Sequence, residues 1–76
     1  MTVTLAELGS GAAGRIVGFG QGKGLRKKFT TRGIRIGSTV RVVARQPRGP
    51  IVIESGGFQL TVGRGMARKV MVDVPD

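Results

Sequence analysis

The sequence predicts a small, mainly β domain, a partly open barrel of five short strands with one short helix inserted after the first strand. Fourteen glycines divide the 76 residues into short segments. Apolar residues within those segments mostly alternate with period two, which is typical of half-buried strands. A chain of this length builds only one hydrophobic core, so residues 1–76 are predicted to form a single domain. Barrel closure is expected because a flat sheet would leave one face and both edges bare.

The predicted strands are the alternating segments between glycines. They cover residues 13–19, 39–46, 51–54, 58–62 and 69–74. In the second of them, Val40, Val42 and Ala44 are expected on the inner face, because successive strand side chains point to opposite sides. Arg41 and Arg45 are then expected on the outer face.

The predicted connections are as informative as the strands. The glycines of Ser55-Gly56-Gly57 can supply the positive φ angles of a tight hairpin. A short bend is expected at 47–50 and a single helical turn at 64–67, while Leu5 and Leu8 are expected to form a turn that caps the open end of the barrel. A long excursion, a bend, a hairpin and a helical turn in this order is the connectivity of SH3-like barrels.

The long excursion after the first strand is predicted to carry the helix, within residues 24–33. Leu25 and Phe29 are four residues apart and therefore share one helical face. Gly33 fits the left-handed position that ends a helix, and Arg32 complements the negative end of the helix dipole. We expect about two turns, held by docking of the two apolar side chains.

Charge is the strongest compositional signal, with 13 Lys and Arg against four Asp and Glu, for a net charge of +9. No acidic residue lies between Glu7 and Glu54. A basic cluster in that interval is either a solvated helix face or a docking face, and it comprises Lys23, Arg26, Lys27, Lys28, Arg32 and Arg35. The anionic partners that fit are nucleic acid, an anionic membrane leaflet or an acidic protein face.

Several function classes are poorly supported by the side chains present. The chain has no His, Cys or Tyr, and its few carboxylates form no evident acid–base pair, so we expect no enzyme activity. The same shortage predicts no metal site and no cofactor. Base stacking needs exposed aromatic rings, and Phe19, Phe29 and Phe58 are expected in the core. No signal peptide or membrane-length apolar run is evident, which predicts a cytoplasmic protein with no membrane span.

A series of short patterns then follows along nearly the whole chain. The first half contains Leu5-x-x-Leu8, Gly14-Arg15-Ile16-Val17, Arg32-Gly33-Ile34 and Gly37-x-x-Val40-x-Val42. The second half contains Pro50-Ile51-Val52-Ile53, Gly57-x-x-Leu60-x-Val62 and Arg64-x-x-Ala67-x-x-Val70-x-Val72. In this joint order they resemble the ferrous iron transport protein A (FeoA) family. Gly63 departs from the resemblance, since the family usually has an apolar residue there.

The resemblance implies a small, non-catalytic SH3-like protein that assists the membrane-bound ferrous iron transporter FeoB, whose cytoplasmic part is a GTP-binding domain. It places the protein at the inner face of the membrane through that partner. The positions expected to contact the partner are Leu25, Arg26, Lys28, Phe29, Arg32, Gly33, Ile34 and Gly37. An apolar cleft between helix and barrel, rimmed with cations, would dock an acidic or amphipathic segment. A basic nucleic-acid-binding barrel is the alternative, and self-association through an open strand edge stays undecided.

Overall fold

The computed structural model describes residues 1–22 and 24–75. Within them lie six strands: β1 Thr2–Thr4, β2 Ala13–Phe19, β3 Thr39–Arg45, β4 Ile51–Ser55, β5 Phe58–Val62 and β6 Val70–Asp73. The helical segments are a 3-10 turn at Leu5–Glu7, α1 at Leu25–Thr31 and α2 at Arg64–Ala67. The strands form one antiparallel sheet in the order β1-β6-β2-β3-β4-β5. The mainly β architecture is confirmed, and so is the helix that follows Ala13–Phe19.

The prediction of five strands was one short, because β1 was not expected. This strand has three residues and a single apolar side chain, Val3, so the sequence offers no alternation to recognise. Its conformation comes from pairing with the last strand, where Thr2 lies opposite Asp73 and Thr4 opposite Met71. Pairing between distant segments, rather than local propensity, determines this strand.

The core is one apolar cluster to which nearly every element contributes. Among the described residues, no polar or charged residue is buried. Leu5 and Leu8 belong to the cluster, and a turn at Leu5–Glu7 joins them. Its buried members are Leu5, Leu8, Ile16, Leu25, Phe29, Ile34, Val40, Val42, Ile51, Ile53, Leu60, Val62, Ala67, Val70 and Val72.

Strand β3 contains an irregularity that overturns part of the predicted facing. The register against β4 shifts between Val42 and Ala44. Such a bulge moves every later side chain to the opposite face. Ala44, predicted to face inward, is exposed, and Arg45, predicted to face outward, lies opposite the buried Ile51.

From this inward position, the Arg45 side chain binds the backbone of residues 6–8. Its guanidinium donates hydrogen bonds to the carbonyl of Ala6 at 3.0 Å and to the carbonyl of Leu8. A charged donor satisfies two carbonyls that the short 3-10 turn leaves without partners. Because the bulge turns Arg45 inward, this side chain links β3 to the Leu5–Glu7 turn.

The expectation that all three phenylalanines lie in the core was wrong for Phe58. Phe29 is fully buried and Phe19 is half-buried, whereas Phe58 is 62% exposed. Phe58 directly follows the tight turn at Gly56 and Gly57, whose φ angles of 58° and 86° confirm the predicted hairpin. Its side chain lies at the tip of the hairpin, where the barrel no longer covers it.

The turn between β3 and β4 holds a backbone strain that can be tested. Arg48 is the non-glycine residue with positive φ in the described chain, at 93°, and it follows Pro47 in a turn closed by the Gly49 N–H and the Gln46 carbonyl. A side chain at this position costs free energy that glycine avoids. We expect Arg48→Gly to raise the free energy of unfolding by about 1 kcal/mol, measured by urea denaturation.

The control for that substitution is Arg48→Ala, which removes the same charge and keeps the β-carbon. We expect no comparable gain, since the strain stays. Equal stabilisation by both variants would mean that relief of charge repulsion, and not of backbone strain, is responsible.

Candidate partner-binding surface

Helix α1 forms because two apolar side chains dock and a glycine ends it. Leu25 and Phe29 are the buried residues of the helix. Gly33 has a φ of 77°, and its N–H donates to the Thr30 carbonyl at 2.9 Å. The N–H of Ile34 donates to the Phe29 carbonyl at 3.0 Å, which completes the paired bonds of a Schellman end. Gly33 and Ile34 therefore set where the helix stops and where the chain turns.

The base of the helix is packed tightly against the barrel. Leu25, Phe29 and Ile34 are 2%, 0% and 1% exposed. The rings of Phe19 and Phe29 meet edge to face with centroids 5.3 Å apart. In this structure the Leu25, Phe29 and Ile34 side chains are buried and fix the position of the helix. Their contact with a partner stays a prediction.

The outer side of α1 and the residues after it carry exposed cations. All of Arg26, Lys27, Lys28, Arg32 and Arg35 are exposed. Arg26 also lies over the Phe19 ring, with its guanidinium carbon 5.8 Å from the centroid. Within residues 1–22 and 24–75, none of the Lys or Arg side chains forms an ion pair with a carboxylate. Lys23, which the sequence places in the same cluster, lies outside the described residues.

The turn at 35–38 presents an exposed apolar residue next to Arg35. The Ser38 N–H donates to the Arg35 carbonyl at 2.9 Å, and the Arg35 N–H donates to the Ser38 Oγ at 3.0 Å. Gly37 has a φ of 98°, and its N–H donates to the Ile16 carbonyl at 2.7 Å, which fastens the turn to β2. Ile36 lies within this turn and is 48% exposed.

We call the exposed cations and the exposed isoleucine of residues 26–36 the helix–turn surface. It comprises Arg26, Lys27, Lys28, Arg32, Arg35 and Ile36. Of the predicted contact residues, Arg26, Lys28 and Arg32 belong to it. Gly33 and Gly37 are exposed and shape its backbone. Ile36 was missed by the sequence reasoning, although an apolar residue placed between Arg35 and a glycine is the signal that could have found it.

Beyond the helix–turn surface, the described chain has a shallow pocket but no cluster of metal ligands and no membrane-spanning helix. It contains no group of three His, Cys, Asp or Glu that could hold a metal ion, and no helix long and apolar enough to cross a membrane. A shallow pocket of about 320 Å³ on the sheet is lined in part by Arg15, Thr39 and Asp73. The Asp73 carboxylate in it is already within 3.3 Å of the amino terminus. The helix–turn surface also lacks a free aromatic ring, so nucleic-acid binding is not favoured.

Comparison with known proteins agrees with this architecture. A crystal structure of an iron uptake regulatory protein, FeoA, is 39% identical, covers 95% of this chain and 96% of its own, and superposes with a TM-score of 0.85. The zinc complex of FeoA from Stenotrophomonas maltophilia, described as an SH3 domain protein, is 22% identical, with coverage of 93% and 89% and a TM-score of 0.80. That second likeness shows the fold alone.

A Fe(2+) transport protein A candidate of Methanocaldococcus jannaschii is 38% identical over 52 residues, which is 68% of this chain. The match spans 62% of that relative's length. The model of the FeoA domain matches residues 3–74. The chain therefore belongs to the FeoA domain family.

Proposed function

We propose that this chain is a non-catalytic accessory protein of ferrous iron uptake that binds the cytoplasmic side of a FeoB-type, GTP-binding membrane transporter. Membership of the FeoA domain family supports this role, as do the names of similar proteins, which refer to iron uptake and Fe(2+) transport. In this proposal the ferrous ion is the cargo of the transporter. The chain acts on the transporter and not on the ion.

The observation that carries the proposal is the helix–turn surface. Exposed cations without carboxylate partners and one exposed apolar residue, Ile36, lie in the same stretch of the chain, residues 26–36. Interfaces commonly combine a polar, charged rim with an apolar centre, and charge complementarity speeds the encounter. The partner segment that fits is acidic and carries an apolar side chain to cover Ile36.

The rigid base beneath the surface makes it suited to docking. Buried Leu25, Phe29 and Ile34 hold α1 against the barrel, and Gly37 is hydrogen-bonded to β2. A surface that is already ordered loses less conformational entropy when a partner binds. The proposed contacts therefore need no rearrangement of the helix.

The test compares two variants that lose the same charge from different faces. Lys28→Gln with Arg32→Gln removes two cations from the helix–turn surface, whereas Arg48→Gln with Arg68→Gln removes two exposed cations elsewhere. Both lower the net charge from +9 to +7. We expect the first pair to weaken binding to detergent-purified transporter by roughly tenfold or more and the second by less than about threefold, measured by isothermal titration.

Equal losses in the two double variants would show that only the overall charge matters and would contradict the assigned surface. Absence of binding by the unmodified chain would overturn the proposed function itself. Circular dichroism of each variant checks that the fold is retained.

A separate prediction concerns Ile36, the apolar centre of the surface. Because the side chain is already 48% exposed, Ile36→Ser is expected to change the free energy of unfolding by less than about 0.5 kcal/mol. The same substitution is expected to weaken transporter binding by roughly fivefold or more, since it removes an apolar side chain that the transporter would cover in the complex. Unchanged affinity would exclude Ile36 from the interface.

A further inference from the structure

The free edge of strand β5 has no partner within the described chain. β5 ends the sheet order and pairs on one side only, with β4. The hairpin turn places Ser55 opposite Phe58, and in a two-residue hairpin this pair is hydrogen-bonded, so the bonds alternate from there. Leu60 and Val62 then bond to β4, whereas the N–H and C=O groups of Gln59 and Thr61 point away from it. No backbone hydrogen bond joins Gln59 or Thr61 to another described residue beyond that ladder.

This edge lacks the features that normally keep strands from pairing with other chains. Natural edge strands are protected by lysines, prolines, bulges or very short length. The other edge of the sheet, β1, has only three residues. β5 has five, in the sequence Phe-Gln-Leu-Thr-Val, and its pairing with β4 is regular. Although the chain has 13 Lys and Arg, none of them lies in residues 55–63, so no lysine protects this edge.

An exposed aromatic side chain lies on the same strand. Phe58 is 62% exposed, and it shares a face of β5 with Leu60 and Val62. Solvent exposure of such a ring is unfavourable, and pairing of the edge would cover it. The free backbone groups and the free ring therefore lie on one short segment.

We propose that this edge binds a second copy of the same chain, with two β5 strands paired antiparallel about Leu60. In that register Gln59 of each copy lies opposite Thr61 of the other, so each free N–H meets a free C=O. Phe58 of each copy then lies opposite Val62 of the other. Both copies therefore contribute the same segment in the same register, and the backbone groups of one meet those of the other. A two-fold symmetric interface requires this self-complementarity.

The absence of charge on β5 argues against a charged partner, and the self-complementary register favours a second copy. β5 carries no charged side chain that could distinguish an acidic segment from a basic one. Two copies of net charge +9 repel each other, and an uncharged edge brings the fewest cations together. The remaining repulsion is long-range, so added salt is expected to strengthen the dimer by screening it. Binding to nucleic acid or to an anionic surface has the opposite salt dependence.

The experiment is sedimentation velocity on the purified chain over a range of concentrations, at about 0.05 and 0.5 M NaCl. We expect a monomer–dimer equilibrium whose dissociation constant falls as salt rises. Gln59→Pro deletes an N–H that the β4 ladder does not use, and proline is tolerated at such edge positions. This variant is expected to raise the dissociation constant roughly tenfold or more, while Gln59→Ala, which keeps the N–H, changes it little.

A chain that remains monomeric at all concentrations and salt levels would overturn the proposal and leave a strand of another protein as the occupant of the edge. Equal association by Gln59→Pro and Gln59→Ala would also overturn it. Circular dichroism checks that the proline variant is folded. No transporter is present in the experiment, so its outcome is independent of the proposed function.

Discussion

Replacing Phe29 with alanine is expected to lower the free energy of unfolding by about 3–5 kcal/mol. The side chain is fully buried and meets the Phe19 ring edge to face at 5.3 Å, so its removal leaves a cavity and ends an aromatic contact. A domain of this size has a total stability of only roughly 4–11 kcal/mol. The substitution is therefore expected to remove a large fraction of the total stability.

The measurement is urea denaturation followed by far-ultraviolet circular dichroism, with Phe58→Ala as the matched control. Both variants remove the same ring, but Phe58 is 62% exposed. We expect the control to lose less than about 1 kcal/mol. The denaturation is measured on dilute protein, so that self-association through β5 does not contribute to the measured stability. Similar losses in the two variants would contradict the buried packing of α1 on the barrel.

The second large effect is expected for Arg45→Met. Its guanidinium donates to the carbonyls of Ala6 and Leu8, and hydrogen bonds from a charged donor contribute about 1.5–3 kcal/mol each. Methionine keeps the apolar stem but leaves both carbonyls without this donor. We expect a loss of about 2–4 kcal/mol, measured by urea denaturation, because the turn that carries Leu5 and Leu8 is released.

Arg41→Met is the matched control for this substitution. It removes one positive charge as well, and the Arg41 guanidinium makes a single exposed hydrogen bond to the Gly11 carbonyl at 2.6 Å. The control is expected to lose less than about 1 kcal/mol. If the control loses as much as Arg45→Met, then the connection between β3 and the Leu5–Glu7 turn is not a major source of stability.

Features encoded locally were predictable from the sequence. The bounds of β2, β5 and α2 agree with the alternation and the helical spacing, and the hairpin turn follows from Gly56 and Gly57. Helix α1 was found from two apolar residues four apart and a terminal glycine. Each of these signals depends on residues close together in the chain, where spacing and backbone preference act directly.

Features that depend on distant pairing were not predictable. The bulge after Val42 exists only relative to β4, so alternation alone placed Ala44 and Arg45 on the wrong faces. The exposure of Phe58 depends on where the barrel ends. The alternation of apolar residues does not predict that position. β1 exists because β6 pairs with it.

The candidate surface was partly predictable for the same reason. Its cations are visible as a run of charge, whereas the burial of Leu25, Phe29 and Ile34 is a tertiary property. The predicted apolar contacts therefore serve as the base of the surface. Ile36, which the turn at 35–38 leaves uncovered, is the exposed apolar residue of this surface.

The proposed site of transporter binding is the helix–turn surface. Its most direct test is amide chemical-shift mapping of the nitrogen-15-labelled chain, titrated with the purified cytoplasmic portion of a FeoB-type transporter if that portion is soluble, or with the whole transporter in detergent. We predict that the perturbed amides concentrate at 26–37, with little change in β4 and β5. Perturbations confined to the sheet, or spread evenly over all basic residues, would contradict the claim.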